Sequence, residues 1–266
     1  MQHITSRQNP RLKEAARLIA SSRDRRKAGR CVLEGEHLID VYMTRVGMPE
    51  FMIVVDTMVG EPRIAGLIAR MPIADVVVVS PAMFADVSTL PVAIGAMAVV
   101  PTPTPAVPAT AGFHVLLDDL QDPGNVGSIL RTAAAAGVEQ VLLSKHCAFA
   151  WSPKVLRAGQ GAHFLTIVVE AVDLCAWARE FSRDGGKVVA MVAHGGMDLY
   201  ATPLRRPIAF AIGNEGAGLS ERLLAEADTH VTIPMPGGME SLNAGAATAV
   251  VLFEAVRRRS RAVDEA

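Results

Sequence analysis

Cysteine is scarce in this 266-residue chain, and Cys31, Cys147 and Cys175 lie far apart without a C-x-x-C pair. The seven histidines form neither an H-E-x-x-H motif nor a close pair. These absences argue against a disulfide-stapled secreted domain and against a zinc site. We therefore expect a reduced, cytoplasmic protein without a protein-bound metal.

Long hydrophobic runs are also missing. The longest candidate, Val92 to Val100, contains Gly95 and ends at Pro101, far short of the roughly 18 residues typical of a membrane span. The opening stretch MQHITSRQNPRLKEAARL lacks the apolar core of a secretory signal. Aromatic residues make up 5% of the chain and hydrophobic residues 50%, which suits closely packed α/β layers better than a stacking surface.

Net charge is low, at −1, but the charge is unevenly distributed. Met1 to Arg30 contains nine basic and two acidic residues, a net +7, so the remaining residues carry −8. A second basic cluster, Arg257 to Arg261, lies near the C-terminus. Such asymmetry indicates phosphate binding, with a solvated helix face as the alternative.

The first hundred residues alternate helical and strand patterns, which predicts a small α/β domain over 1–100. The predicted elements are, in order, RLKEAARLIASS (helix, from Pro10), CVLEG (strand), EHLIDVYMTRV (helix), FMIVV (strand), Ile64–Arg70 (helix), DVVVVS (strand), a short helix from Pro81, and VAIGAMAVV (strand). The stretch PTPTPAVPAT follows, and its four prolines predict a semi-rigid linker over 101–112.

A second α/β domain is predicted over 113–266. Its strands are apolar without polar alternation, which indicates a mostly parallel sheet covered on both faces. The predicted strands are HVLLDDL, EQVLLS, LTIVVE, KVVAMVA, PIAFAIG and HVTIP, and the predicted helices are NVGSILRTAAAAG, SPKVLRAGQ, DLCAWAREFSRD, LSERLLAEA and NAGAATAVVLFEAVRRR.

Three polar, glycine-containing loops follow strands of this second domain: DLQDPGN, GNEGAGLS and PMPGGMESLN. Ligands of parallel α/β sheets bind beyond the carboxyl ends of the strands, so these loops predict a binding site. The glycines of GNEGAG do not have dinucleotide-binding spacing, and neither a Walker loop nor a G-x-S-x-G nucleophile motif is present. The alternative for each loop alone is a turn or a helix cap.

Together, DPGNVGSILRTA, GNEGAGLS and IPMPGGMESLN resemble the three motifs of the SpoU (TrmH-like) RNA 2′-O-ribose methyltransferases, part of the SPOUT superfamily. The resemblance spans about Phe113 to Arg259. The first domain, with VLEGEHLID, is more loosely similar to the L30e-like RNA-binding domain that often precedes SpoU domains. One departure is visible, because Ala244-Gly245 stand where the family has Val-Ser, and a glycine inside a helix costs about 1 kcal/mol relative to alanine.

The resemblance implies a C-terminal α/β trefoil knot whose small residues Ala244 to Ala247 let a helix pass close to neighbouring backbone. It implies S-adenosylmethionine as the cofactor, bound in the knot. The residues at the family's cofactor-binding positions are Gly213, Ile233, Leu242 and, as a weaker candidate, Ala193.

Methyl transfer to a ribose 2′-hydroxyl requires that the hydroxyl be aligned and lose its proton. By resemblance, Arg131 points into the site, where its guanidinium clamps the target phosphate and stabilises the forming alkoxide. The alternative, a more far-reaching proposal for the family, is that this arginine itself takes the proton. Asn125 is predicted to begin its helix as a cap and to serve the site as well.

The other candidate catalytic residues are polar members of the second and third motifs. Glu215 is expected to orient Arg131 or loop amides, and Ser241 and Asn243 to combine capping with hydrogen bonds to nucleotide or cofactor. His194 and His230 are assigned structural roles. Met235 and Met239 are expected to pack near the cofactor or to anchor the loop.

The family works as a homodimer, so apolar helix surface near Val250 to Val256 is expected to be interface rather than core. The basic N-terminal arm is expected to supply RNA affinity and the first domain target choice, for ribosomal or transfer RNA. The alternative is a non-catalytic RNA-binding protein that keeps the knot as a scaffold. A nucleotide-cofactor enzyme of another kind is a third interpretation that these loops do not favour.

Overall fold

The structure is a computed structural model that describes residues 1–88, 95–103 and 108–264. The chain forms two compact units. The first unit consists of Met1–Thr104 and Trp151–Phe164, and the second consists of Pro105–Ala150 and Leu165–Ala266. The units are defined by packing alone, so the functional boundaries at 100 and 113 stay a prediction. Over the described ranges, no helix is both long and apolar enough to cross a membrane.

The first unit is built on a five-stranded mixed sheet. Its strand order is β1-β4-β3-β5-β2, in which β5 runs antiparallel to β2 and β3. The strands are β1 Gln2–His3, β2 Arg30–Glu34, β3 Phe51–Val55, β4 Val76–Val79 and β5 Ala96–Pro101. The helices are α1 Pro10–Ala20, α2 Ser22–Ala28, α3 Glu36–Arg45, α4 Pro62–Arg70 and α5 Pro81–Ala85, with 3₁₀ turns at Asp56–Met58 and Ile73–Asp75. The later segment of this unit adds α7, Pro153–Gly159, and a 3₁₀ turn at Ala162–Phe164.

The N-terminal residues are an integral part of this unit, which corrects the expectation of a basic arm. Leu12, Ala15, Leu18 and Ile19 of α1 are buried in the core with strand residues. Much of the positive charge is neutralised or buried: Arg7 pairs with Asp86, Arg11 with Asp75 and Arg30 with Glu14 and Glu50, and Arg25 donates to backbone carbonyls at the end of α1. Several basic side chains of α1 and α2 are exposed, and we call four of them the basic face: Lys13, Arg17, Arg23 and Lys27.

The second unit is built on a seven-stranded sheet in which every described pairing is parallel, as its uninterrupted apolar strands predict. Its order is β10-β12-β9-β11-β6-β7-β8. The strands are β6 Phe113–Leu117, β7 Gln140–Leu143, β8 Ile167–Val169, β9 Lys187–Met191, β10 Met197–Asp198, β11 Ile208–Ile212 and β12 Thr229–Thr232. The helices are α6 Pro123–Ala135, α8 Leu174–Arg183, α9 Glu221–Glu226 and α10 Ala244–Asp264.

Helix α10 divides the stretch from Val250 to Val256 between core and surface, so the expected interface stays a prediction for its exposed residues alone. Val251, Leu252 and Ala255 are fully buried within the protomer, whereas Phe253 is 48% exposed. A helical repeat of 3.6 residues alternates the two environments along any seven-residue stretch.

The C-terminal arginine cluster is mainly structural. Arg257 and Arg258 both donate to Glu254, with nitrogen–oxygen distances of 2.7 and 2.6 Å. These hydrogen bonds, of which the one from Arg257 has the largest effect, outweigh the cost of burial and lower the pKa of Glu254 to about 2. Arg258 also donates to the carbonyl of Thr202, and the Arg259 guanidinium lies 4.0 Å from the centre of the Phe113 ring.

All predicted helices and strands that fall on described residues are present, and β1, α2 and β10 are additional. The predicted strand at Val92 to Val100 begins instead at Ala96, and its residues 92–94 lie outside the described ranges, as do 104–107 of the predicted linker.

Candidate active site

Three loops meet at the carboxyl edge of the second sheet. The first loop, Asp118–Asp122, follows β6, the second loop, Gly213–Ser220, follows β11, and the third loop, Pro234–Asn243, follows β12. The second and third loops and the end of β9 enclose a cavity of about 550 Å³. The volume lies within the range of roughly 300–1,000 Å³ that is usual for small-molecule sites.

The cavity lining combines apolar and polar residues. Ile212, Ile233 and Leu242 supply apolar surface, and Glu215, Ser241 and Asn243 supply polar groups. All four residues expected to hold a cofactor line it, namely Ala193, Gly213, Ile233 and Leu242.

A hydrogen-bonded chain of three side chains connects the three loops. Asn243 Nδ2 donates to Asn125 Oδ1 at 2.9 Å, and Asn125 Nδ2 donates to Glu215 Oε1 at 3.0 Å. The Glu215 carboxylate also accepts the backbone N–H groups of Gln121 and Asp122, at 3.3 and 3.1 Å. Partial burial acts against ionisation of Glu215, but the hydrogen bond from Asn125 and those from backbone amides lower its pKa. Glu215 therefore stays a carboxylate that holds the first loop against the second.

The structure corrects the predicted role of Asn125 as the helix cap. Asp122 caps α6, since its carboxylate accepts the N–H of Asn125 at 2.8 Å, and Pro123 occupies the first helical position. Because Asn125 is thus inside the first turn, its amide is free to bridge Asn243 and Glu215.

Asn243 caps α10, as expected, because its Oδ1 accepts the N–H groups of Gly245 and Ala246. Gly245 lies in the first turn rather than in the helix interior, so the interior penalty expected for it does not apply. A Cβ at this position would lie 2.7 Å from Ser128 Oγ on α6. The small residue therefore permits the close approach of α10 to α6, whereas Ala246 faces solvent.

Gly213 is required by the shape of the second loop. A Cβ at Gly213 would lie 2.2 Å from the carbonyl carbon of Gly218 and the nitrogen of Leu219. The loop closes through paired backbone hydrogen bonds between Asn214 and Gly218, both 2.9 Å long. Any larger residue at 213 would open this turn.

Asn214 was not identified from the sequence, although an asparagine directly after a strand and before glycines is a signal for a side-chain-stabilised turn. Its Oδ1 accepts the N–H groups of Gly216 and Ala217, both at 3.0 Å, and its Nδ2 donates to the carbonyl of Asp119 at 2.8 Å. Asn214 also lines the cavity, so it orders the wall it belongs to.

The remaining candidates are less closely connected. Ser241 lines the cavity and is exposed. Arg131 is exposed on α6 and is not among the cavity residues, so its catalytic role stays a prediction. His194, expected to be structural, lines the cavity together with Met235, whereas the ring of His230 contacts the carbonyl of Leu224.

No metal-binding group is present at the site or elsewhere among the described residues, where no three His, Cys, Asp or Glu side chains are arranged to hold an ion. The polar groups available at the cavity are carboxylates, amides, a hydroxyl, an imidazole and backbone groups.

Comparison with known proteins gives matches over the whole chain. The SpoU rRNA Methylase family model matches residues 112–253. The Bacillus subtilis 23S rRNA (guanosine(2553)-2′-O)-methyltransferase RlmP is 32% identical over 254 residues, which cover 95% of this chain and 98% of that protein. The crystal structure of the SpoU methyltransferase AviRb from Streptomyces viridochromogenes in complex with AdoMet has a TM-score of 0.84 at 26% identity, covering 95% of this chain and 98% of that one. The crystal structure of an AdoMet-bound rRNA methyltransferase from Sinorhizobium meliloti has a TM-score of 0.83 at 26% identity, and the match covers 97% of this chain and 98% of that one.

Proposed function

Because the chain belongs to the SpoU rRNA methylase family, it is an S-adenosylmethionine-dependent RNA 2′-O-methyltransferase with an α/β knot fold, and we propose that its target is ribosomal RNA. The meeting of the three loops at one edge of the sheet, where the second and third line one cavity, carries this conclusion, since these loops contain the residues that carry the resemblance to the family. The rRNA-modifying relative from Bacillus subtilis matches both units, which supports the choice of ribosomal over transfer RNA. That target also supports a cytoplasmic location.

The cavity fits S-adenosylmethionine in size and in chemistry. Ile233 and Leu242 supply apolar surface for the adenine, and the ordered backbone of the second loop lines the same cavity. Bound there, the cofactor supplies an electrophilic methyl group on a sulfonium. We assign Gly213, Ile233, Leu242 and Ala193 to its binding.

Glu215, Asn125 and Asn243 hold the first, second and third loops in one arrangement. Asn125 donates to Glu215 and accepts from Asn243, and Asn243 in turn accepts N–H groups from the first turn of α10, so a rotation of either amide would break a contact. A pre-ordered site of this kind contributes to catalysis because the reacting groups need not be ordered during the reaction. To Ser241, which is exposed and lines the cavity, we assign a hydrogen bond to the nucleotide or the cofactor.

Arg131 is proposed to bind the phosphate beside the target ribose. A guanidinium binds phosphate in bidentate fashion, and its fixed positive charge stabilises the oxygen that forms as the 2′-hydroxyl loses its proton. Arg131 is exposed and forms no ion pair within the described part of the chain, which leaves the group available to RNA.

The basic face of the first unit is proposed to bind RNA backbone. Lys13 and Arg17 are spaced by four residues on α1, as are Arg23 and Lys27 on α2, so each pair lies on one side of its helix. Each such contact with a phosphate adds salt-dependent affinity. The first unit thus supplies target choice through RNA shape and backbone.

The exposed side of α10 is proposed to form a homodimer interface. Phe253 is 48% exposed, and Ala246, Ala249 and Val250 lie at the preceding helical repeats on the same side. A large exposed aromatic on an otherwise apolar helix side is characteristic of interface centres. The stretch is therefore both core and interface, divided by helix periodicity.

The experiment that tests the function begins with calorimetric binding of S-adenosylmethionine. Ala193→Phe places a ring in the cavity and should weaken binding by at least about tenfold, whereas Ala201→Phe adds the same ring at an exposed position outside the cavity lining and should not. Gly213 is unsuitable as a blocked control because any side chain there disrupts the second loop.

Methyl transfer is then measured with radiolabelled cofactor on ribosomal RNA and on transfer RNA at one fixed salt concentration. A 2′-O-methyl group makes the adjacent phosphodiester resistant to alkali, so alkaline hydrolysis reports the position of the methyl group. Transfer to ribosomal RNA that produces an alkali-resistant linkage is expected. Absence of cofactor binding with and without RNA would favour the non-catalytic scaffold, and preferential methylation of transfer RNA would overturn the proposed target.

A further inference from the structure

Asp119 adopts a backbone conformation that side chains other than glycine rarely take. Its φ is +53°, in the left-handed region. A cyclic pair of hydrogen bonds holds it there, because the Asp119 N–H donates to Ser144 Oγ at 2.9 Å and that hydroxyl donates back to Asp119 Oδ1 at 2.5 Å. Ser144 is itself anchored, since its N–H donates to the carbonyl of Leu117 at the end of β6.

This conformation directs the Asp119 carbonyl toward the second loop. The carbonyl accepts Asn214 Nδ2 at 2.8 Å, and the other end of that amide accepts two backbone N–H groups of the second loop. A neighbouring contact acts on the far end of the same loop, where the Ser220 N–H donates to Asp118 Oδ2 at 2.9 Å. The second loop is therefore held at both ends by the two consecutive aspartates of the first loop.

We infer that Asp119 is a positioning residue for cofactor binding, which acts through its left-handed backbone, the support of Ser144 and the amide of Asn214 on the second loop. The inference rests on the proposed function, because it assumes that the second loop contacts S-adenosylmethionine. Neither Asp119 nor Ser144 lines the cavity, so both act only through Asn214.

The side-chain requirement at position 119 follows from this geometry. Asp119→Asn retains an acceptor for the Ser144 hydroxyl and tolerates the left-handed region, so its affinity for S-adenosylmethionine should match that of the wild type. Asp119→Gly loses the Ser144 contact but adopts the conformation freely, and its dissociation constant should rise by no more than about threefold. Asp119→Ala has neither compensation and should bind about tenfold more weakly, with kcat at saturating cofactor nearly unchanged.

A matched control exists in the same unit. Ala171, after β8, is also a left-handed non-glycine residue, with φ +57°, and it does not line the cavity. Ala171→Gly relieves backbone strain without touching the loops, so it should leave the dissociation constant unchanged. Ser144→Ala removes the hydroxyl that holds Asp119 and should weaken the binding of S-adenosylmethionine by about fivefold.

Hydrogen exchange supplies a readout that does not depend on the cofactor. In Asp119→Ala, the amides of Gly216 and Ala217 should exchange about tenfold faster than in the wild type, and in Asp119→Asn they should not. If the wild type binds no S-adenosylmethionine, the proposed function fails while exchange still decides the positioning role. Equal defects in Asp119→Gly and Asp119→Ala, or unchanged exchange and affinity in Asp119→Ala and Ser144→Ala, would overturn the inference.

Discussion

Replacing Asn125 by aspartate tests the hydrogen-bonded chain that connects the three loops. The change turns a donor 3.0 Å from Glu215 into a second carboxylate. Two unit charges 3.0 Å apart repel by about 1.4 kcal/mol at the dielectric constant of water, and the lost hydrogen bond to a charged group costs about 1.5 kcal/mol. The two together predict a loss of about 100-fold in kcat/KM for methyl transfer at pH 8.

The loss should depend on pH in a defined direction. In the wild type, the lowered pKa of Glu215 keeps it ionised throughout the assay range. In Asn125→Asp, the paired carboxylates raise the pKa of one of the two, and the protonated form restores a donor between them. The defect should therefore shrink as the pH falls from 8 toward 5.5.

Asn9→Asp is the matched control, because Asn9 caps α1 in the other unit and aspartate caps equally well. Melting temperatures of both variants establish that they are folded. A kcat/KM equal to that of the wild type at pH 8, or a defect that does not change with pH, would refute the reasoning about Glu215.

Four further predictions concern other parts of the molecule. Arg131→Ala should lower kcat by about 100-fold and leave the affinity for S-adenosylmethionine unchanged, as measured by single-turnover transfer and calorimetry; near-normal transfer would refute the assigned role. Reversing all four charges of the basic face should weaken RNA binding. In titrations across a salt series, the slope of the logarithm of the binding constant against log[salt] should become shallower by up to about three to four units, whereas an unchanged slope would mean a merely solvated face. Phe253→Glu should convert a dimer to a monomer in sedimentation experiments, and a wild type that is already monomeric would contradict the interface. Burial, partly offset by a hydrogen bond to the Ala111 carbonyl, lowers the pKa of His114. Below the unfolded-state pKa of about 6.5 the unfolded chain therefore binds more protons than the folded one, and the free energy of unfolding decreases as the pH is lowered. His114→Gln should reduce the difference in urea midpoint between pH 7.5 and 5.5, and an unchanged difference would exclude this residue as the cause.

Local signals in the sequence account for most of the fold. Pro10 and Pro81 begin helices, Gly137 follows the end of α6, and the apolar runs become strands of a parallel sheet. The missed elements are two-residue strands and the seven-residue α2, which has no apolar periodicity because most of its residues are charged. Their formation depends on neighbours that local pattern does not reveal.

Charge patterns were less informative than apolar ones, because a basic residue has the same sequence signature whether it binds RNA or supports the fold. Arg25 serves as a buried donor to the end of α1, and Arg258 joins α10 to the carbonyl of Thr202. Only the contacts distinguish these arginines from exposed ones such as Arg17. The role of a basic cluster therefore depends on contact partners that the sequence pattern does not reveal.

Part of the candidate site can likewise be predicted from the sequence and part of it cannot. The positions of the loops follow from topology, since the carboxyl ends of parallel strands share an edge, and the chain places each loop directly after a strand. The pairs that order the loops do not follow from it: Asn125 and Glu215 are 90 residues apart, and Asn125 and Asn243 are 118 apart. Asn125 reaches both of its partners because Asp122 caps α6 and leaves the Asn125 amide free inside the first turn, whereas Asn243 reaches Asn125 from the cap position of α10. Motifs thus predict which loops form the site, whereas the register of the capping turns decides which side chains work together in it.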